Sequence, residues 1–143
     1  MLLLAECYPE AQFVHIYRNP LSVAASLQKG AVMPKQNLRA AINYWLEAAM
    51  ILSQYRALAP ERLIEIQYEQ LLREPKTTVT GLLERLGEPV GPFPFRKITG
   101  VLAGEMAVDR RKLKDDYHAV LSEQQITEIK QAVEPYFSRY GYR

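Results

Sequence analysis

The sequence predicts an α/β fold, with a parallel sheet of about two strands and several packed helices. Two short apolar runs, residues 13–17 and 63–67, are bounded by turn-forming residues, as strands are. The segments between and after them carry apolar residues at helical spacing. With 143 residues and 48% hydrophobic content, the chain is long enough to bury a core, and we expect residues 1–143 to form a single domain.

The first strand is expected at Phe13–Tyr17. Its side chains are nearly all apolar, and Pro9 and the Asn19-Pro20 pair bound it, which is typical of a parallel strand buried on both faces. His15 alternates with apolar neighbours, so we interpret it as a structural histidine with a satisfied ring rather than as a catalytic base. A short helix tail precedes the strand. It contains Cys7, the single cysteine, which we expect to be a small buried side chain.

The first helix is expected to begin at Pro20 and to run to about Lys29. Asn19 is a favourable N-cap, and proline suits the first helical position because its missing N–H would have no partner there. The two faces of this helix carry Val23 with Leu27, and Ser22 with Ser26. Ser26 is therefore expected to point away from the apolar stripe.

A long helix is expected from about residue 36 to 58, because its apolar residues recur with a helical period. Its stripe consists of Leu38, Ala41, Ile42, Trp45, Ala49, Leu52 and Tyr55. Since Trp45 lies on this stripe, we interpret it as a core side chain. The second strand, 63–67, then precedes a helix that Pro75 begins and Gly87 ends.

The remaining segment is expected to contain a loop and one more helix. Residues 89–94 are punctuated by Gly and Pro, which indicates a loop. Ser122 and Gln125 form a capping-box pattern, and Ile126, Ile129 and Val133 are expected to give the last helix a core face before Pro135. His118 is expected to be exposed and has no assigned role.

Arg18 and Ser26 bracket the segment that leads from the first strand into the first helix. A strand that ends in Arg and turns through Asn-Pro into a helix directs a guanidinium, a hydroxyl and backbone N–H groups toward one anion. This chemistry is typical of a phosphate site. The same residues also fit a simpler interpretation, in which Arg18 is a solvated strand end and the Ser26 hydroxyl bonds to a carbonyl one turn earlier.

Composition excludes several classes of protein. The net charge is +2, from 18 basic and 16 acidic residues that are interspersed, which argues against a nucleic-acid partner. The apolar stretch 2–5 is too short for a signal peptide or a membrane span. One cysteine allows no internal disulfide and supplies no metal-binding set. We therefore expect a cytoplasmic protein with no metal, no membrane association and no nucleic-acid partner.

Four segments resemble, in order and spacing, motifs of the sulfotransferase family. They are Arg18-Asn19-Pro20 with Val23 and Ser26, residues 63–69 ending in Tyr68-Glu69, residues 82–87, and Arg110-Arg111-Lys112 with Asp116-Tyr117. The chain departs from the family pattern in two places, because Lys112 stands where the family has Gly and Tyr117 stands where it has Trp. The resemblance covers most of the chain.

The resemblance implies a P-loop-like parallel sheet and a sulfuryl donor, 3′-phosphoadenosine 5′-phosphosulfate (PAPS). By resemblance, Arg18, Ser26, Arg110 and Arg111 bind the 3′-phosphate of this nucleotide, and Tyr68 lies at its adenine. The catalytic residues and the hydroxyl or amine acceptor are not identified. Without the family pattern, the two later arginines are better explained as a solvated loop than as a phosphate clamp. Tyr68 is explained equally well as an ordinary strand-end tyrosine.

Family members also carry, upstream of the segment that Arg18 begins, a glycine-containing loop for the 5′-phosphosulfate and a catalytic His or Glu. None of the seven glycines of this chain opens a helix ahead of Lys-Ser or Lys-Thr. We therefore expect the C-terminal half of a sulfotransferase fold, whose partner is a missing N-terminal half or a second copy. Three functions remain open: a sulfotransferase, a non-catalytic nucleotide-binding remnant, and a helical interaction module.

Overall fold

A computed structural model of the chain describes residues 2–30, 33–91 and 116–142. Its α-helices are α1 Leu2–Cys7, α2 Pro20–Lys29, α3 Leu38–Leu58, α4 Tyr68–Arg73, α5 Pro75–Leu86 and α6 Glu123–Phe137. Its strands are β1 Phe13–Tyr17 and β2 Leu63–Gln67, and short 3₁₀ helices occupy Pro60–Arg62 and Asp116–Ala119. The predicted fold class is confirmed, because the described residues form a parallel two-stranded sheet with several packed helices.

The strands pair in register from Phe13 with Leu63 to Tyr17 with Gln67. Contrary to the sequence prediction, β1 is not buried on both faces. Val14 and Ile16 are 42% and 52% exposed, whereas their partners in β2, Ile64 and Ile66, are 2% and 8% exposed. The reason is that α4 and α5 pack against β2, while β1 has one hydrogen-bonded neighbour within the described ranges.

The described residues fall into two compact units, one made of 2–17 and 59–91, the other of 18–30, 33–58 and 116–142. The single-domain organisation stays a prediction. In the first unit, Arg62 ties the start of β2 to the turn before β1. Its Nε donates to the Ala11 carbonyl at 3.0 Å and its Nη2 to the Tyr8 carbonyl at 2.7 Å. The guanidinium carbon also lies 5.7 Å from the Phe13 ring centre.

His15 has a partner in β2, as expected of a structural histidine. Its Nδ1 lies 3.3 Å from Oε1 of Glu65, which is its register partner on the neighbouring strand. The expectation for Cys7 is wrong, because its side chain is exposed at the end of α1. A helix of six residues with exposed Leu3 and Leu4 offers no core into which the thiol would pack.

The second unit is a cluster of α2, α3 and α6. The buried side chains of the three helices are Pro20, Leu21, Ser22, Ala24 and Ala25; Ala41, Ile42, Ala49, Leu52 and Tyr55; and Ile126, Ile129, Val133 and Phe137. The α3 stripe is largely as predicted, with Leu38 and Trp45 half-buried. In α2 the core face is formed by Leu21 and the alanines, whereas Val23 and Leu27 are half-buried. The small alanine side chains let the helices approach closely.

Local signals correctly predict most helix ends. The Asn37 side chain accepts a hydrogen bond from the Ala40 N–H at 2.8 Å, and α5 ends at Gly87, which has a φ of 72°. At the start of α6, Ser122 Oγ accepts from the Gln125 N–H at 3.2 Å, and Gln125 Oε1 accepts from the Ser122 N–H at 2.9 Å. The predicted capping box is therefore present.

The last helix has the predicted core face of Ile126, Ile129 and Val133, and it continues through Pro135 to Phe137. A proline this close to the helix end removes one hydrogen bond, and burial of Val133 and Phe137 on either side holds the backbone in place. A separate helix of six residues, α4, lies between β2 and α5, and the sequence pattern did not indicate it.

Candidate functional site

The junction between β1 and α2 has a well-defined backbone. The Asn19 Oδ1 accepts a hydrogen bond from the Leu21 N–H at 2.9 Å, and the Asn19 carbonyl accepts one from the Val23 N–H at 3.0 Å. Pro20 occupies the first turn of α2, where its fixed φ suits the helix. The chain therefore passes from strand to helix within two residues, as the sequence predicted.

Arg18 is the first residue after β1 and is half-buried. Its carbonyl accepts a hydrogen bond from the indole Nε1 of Trp45 at 3.1 Å, and its own Nε is a buried atom. The backbone of Arg18 is thus held from α3, and the inner part of its guanidinium is sheltered from water. A sheltered guanidinium attracts an anion more strongly than a fully solvated one, because the local dielectric constant is lower.

Ser26 lies two turns along α2 in the same compact unit as Arg18. Its side chain is exposed, so the expectation that Ser26 points away from the apolar face is confirmed. Ser22, one turn earlier, is 5% exposed and belongs to the core side. An exposed hydroxyl on this helix is available to a ligand, whereas that of Ser22 is not.

Tyr68 directly follows β2 and is the first residue of α4. Its side chain is half-buried. It belongs to the unit that also contains β1 and β2, whereas Arg18 and Ser26 belong to the other. Carboxyl ends of parallel strands are where open α/β sheets bind ligands, and Tyr68 stands at one such end.

The two predicted basic residues Arg110 and Arg111 lie outside the described residues, as does Lys112. Tyr117, from the nearby Asp-Tyr pair, is half-buried in a 3₁₀ helix. Its carbonyl accepts hydrogen bonds from the N–H groups of Val120 and Leu121 at 3.0 and 2.7 Å. His118 is exposed, as expected, with its Nδ1 3.5 Å from Oε1 of Glu123.

Sequence reasoning missed the part that Trp45 plays at this junction. Its position on the α3 stripe correctly indicated packing, yet the ring is half-buried and its N–H reaches across 27 positions of sequence to the Arg18 carbonyl. The available signal was chemical. An indole N–H that enters a core usually finds an acceptor, so a tryptophan on an apolar stripe implies a polar group nearby.

The described part of the chain contains no group of three His, Cys, Asp or Glu side chains arranged to hold a metal ion. Within the same ranges, no helix combines the length and the apolar character needed to cross a bilayer. Arg18 and Ser26 both lie in the unit formed by α2, α3 and α6; whether they bind one anion stays a prediction.

Comparison with known proteins yields one match. A sequence profile described as the Sulfotransferase family matches residues 1–92, which is more than half of the 143 residues. The matched region includes Arg18, Ser26 and Tyr68 and ends before Arg110. No curated protein and no solved structure shows significant similarity to the chain.

Proposed function

The chain belongs to the sulfotransferase family, and from that membership we propose that it binds the 3′-phosphate and adenine end of PAPS. The sulfuryl group of that nucleotide goes to a hydroxyl or amine acceptor through groups that this sequence does not identify. The observation that carries the proposal is the arrangement of Arg18 at the strand-to-helix junction, where Trp45 binds its carbonyl and the Nε of its guanidinium is buried. Its donor groups fit an anion, and the exposed hydroxyl of Ser26 in the same unit adds a further donor.

In this proposal Arg18 forms a two-pronged, charge-assisted contact with the 3′-phosphate. Each charge-assisted hydrogen bond contributes about 1.5 to 3 kcal/mol, so Arg18 supplies most of the discrimination in favour of a 3′-phosphorylated nucleotide. Ser26 donates one hydroxyl hydrogen bond, and Arg110 and Arg111 add positive charge. Tyr68 stacks on adenine, a contact that every adenine nucleotide shares.

These roles differ in what they recognise, so binding measurements separate them. We would titrate the chain with adenosine 3′,5′-bisphosphate and with adenosine 5′-monophosphate in a calorimeter. The bisphosphate should bind at least about tenfold more tightly, which corresponds to about 1.4 kcal/mol. Arg18→Ala should remove most of that preference. Tyr68→Ala should weaken both nucleotides alike and leave the preference unchanged.

Arg139→Ala is the matched control for the loss of one positive charge. Arg139 is exposed in the same unit, and its Nη1 donates to Ser53 Oγ at 3.4 Å. This variant should keep the preference for the bisphosphate. Equal affinities of the wild-type chain for the two nucleotides, or a preference that survives Arg18→Ala, would overturn the proposed function.

One observation favours the alternative of a helical interaction module. Tyr44, Ile51 and Leu58 are exposed at intervals of seven residues along α3, which is the spacing of an apolar stripe. If the nucleotide preference is absent, this stripe becomes the leading functional surface.

A further inference from the structure

Trp45 lies in α3 and contacts both α6 and the residue that precedes the N-cap of α2. It lies within α3, a helix of 21 residues, and its indole N–H donates to the carbonyl of Arg18 at 3.1 Å. Its ring is also in edge contact with two tyrosines. The ring centre of Tyr136 is 6.4 Å away at an interplanar angle of 69°, and that of Tyr140 is 6.0 Å away at 83°.

The tyrosines hold the indole from the C-terminal side of the chain. Tyr140 is itself fixed, because Arg56 Nη2 donates to its hydroxyl at 3.2 Å and the Arg56 guanidinium carbon lies 5.7 Å from its ring centre. Edge-to-face contacts restrict the tilt of an aromatic ring. The direction of the Trp45 N–H is therefore set by α3 and α6 together with the residues just after α6.

The peptide bond between Arg18 and Asn19 is consequently held at both of its residues. Trp45 binds its carbonyl, and the next residue, Asn19, is locked as the N-cap of α2 through its side chain and its carbonyl. The side chain of Arg18 starts from a fixed backbone, so fewer of its conformations are lost when an anion binds. Preorganisation of this kind raises affinity by lowering the entropic cost of binding.

We propose that Trp45 is a positioning residue for Arg18, so that its indole N–H sets the backbone from which the guanidinium reaches the 3′-phosphate. This inference rests on the proposed function. According to the inference, Trp45 affects only the affinity that the 3′-phosphate contributes, because a nucleotide without this phosphate does not contact Arg18. If Trp45 served only to stabilise the fold, its substitution would change the affinities for the two nucleotides by the same factor.

The first test compares Trp45→Phe with Tyr142→Phe in the full 143-residue chain. Trp45→Phe keeps an aromatic ring and removes the N–H that binds Arg18, while Tyr142→Phe removes the hydroxyl of a buried tyrosine whose ring contacts Phe137 in the same unit. Loss of one hydrogen bond should reduce the affinity ratio of adenosine 3′,5′-bisphosphate to adenosine 5′-monophosphate roughly fivefold in Trp45→Phe. Affinity for the monophosphate should stay within about twofold. Tyr142→Phe should keep the full ratio.

The second test needs no substitution at Trp45, so it holds even if Trp45→Phe folds poorly. Trp45 is the single tryptophan, and a ¹⁵N-labelled chain therefore gives one indole N–H resonance. That resonance should shift when adenosine 3′,5′-bisphosphate is added and stay in place with the monophosphate. Arg18→Ala should abolish the shift.

The outcomes separate this inference from the proposed function. If wild type lacks the preference for the bisphosphate, the proposed function fails and the inference fails with it. If wild type shows an Arg18-dependent preference, but Trp45→Phe keeps the full affinity ratio or the indole resonance does not respond, the inference alone is overturned. A parallel loss of affinity for both nucleotides in Trp45→Phe would also overturn it, because that result indicates a purely structural role.

Discussion

His15 and Glu65 face each other across the parallel pair of strands, with Nδ1 of the histidine 3.3 Å from Oε1 of the glutamate. Both side chains are about one fifth to one quarter exposed, at 20% and 24%. The contact joins the central residues of β1 and β2, which are 50 positions apart in sequence. It is a polar link within a sheet whose other contacts are mainly apolar.

This contact gives the first prediction. Glu65→Ala should lower the free energy of unfolding by about 1 kcal/mol, because it removes the hydrogen-bond partner of a partly buried ring. Glu65→Gln keeps an acceptor oxygen at the same place and should cost less than half as much. Urea denaturation of the two variants beside wild type makes the comparison. Equal losses for alanine and glutamine would mean that the oxygen does not stabilise the pair.

The second prediction concerns three glycines that differ in backbone and surroundings. Gly30 has a φ of 67°, and a Cβ there would lie 2.9 Å from the backbone nitrogen of Lys35. Gly87 has a φ of 72°, and Gly81 lies inside α5; a Cβ at either position meets nothing within 4 Å. Because Gly81 only weakens its helix, Gly81→Ala should stabilise the protein by about 0.5–1 kcal/mol.

The substitutions at Gly87 and Gly30 should destabilise the protein instead, the second more than the first. Gly87→Ala should destabilise by about 1–2 kcal/mol, the cost of a left-handed backbone for a residue with a Cβ. Gly30→Ala should cost more than Gly87→Ala, since it adds a clash with the Lys35 backbone. Thermal and urea unfolding give the order. A Gly30→Ala protein as stable as Gly87→Ala would show that the segment around Lys35 moves aside without cost.

Association of the chain is the third prediction. Val14 and Ile16 are exposed on β1, whose outer edge lacks a strand neighbour within the described ranges. Open strand edges beside apolar side chains promote pairing with other chains. In sedimentation velocity, the 143-residue chain should therefore form dimers or larger species at micromolar concentration.

Substitution of Ile16 tests whether β1 is the surface involved. Ile16→Lys should shift the sedimentation profile toward monomer, because a charge on a strand edge opposes pairing. Met50→Lys, at an exposed apolar position on α3 outside the stripe of Tyr44, Ile51 and Leu58, is the matched control and should leave the profile unchanged. A monomeric wild-type chain with a sharp cooperative thermal transition would contradict this prediction.

The fourth prediction concerns turnover by the 143-residue chain. It should transfer no sulfuryl group from PAPS to phenol or alcohol acceptors, because its sequence has no glycine-rich loop for the 5′-phosphosulfate and no identified base. The assay requires a preparation that binds adenosine 3′,5′-bisphosphate, so that a folded site is assured. Turnover that disappears in Arg18→Ala would refute the prediction and direct attention to His15 and Glu65.

Much of the fold was predictable from neighbouring residues alone. Asn19 and Pro20 start α2, Ser122 and Gln125 start α6, and Gly87 ends α5, in each case through bonds or backbone angles within a few positions. Such interactions act over one turn of chain, so the residue types that make them are visible in the sequence. The phosphate-site candidates Arg18 and Ser26 follow from the same local pattern.

Other features were decided by residues far apart in the chain. The exposure of Cys7 and of the Val14 side of β1 depends on which elements pack nearby, and the apolar character of the segment does not reveal it. The continuation of α6 through Pro135 depends on burial of Val133 and Phe137 beside it.

The bond from Trp45 to the carbonyl of Arg18 is the clearest case. The local pattern predicts that an arginine follows a strand and precedes a capped helix, because those signals lie within a few residues. That a tryptophan 27 positions away binds the carbonyl of this arginine is visible only in the folded chain. A hydrogen bond at such separation forms only when two helices pack at a particular distance and angle, and no local pattern encodes that geometry.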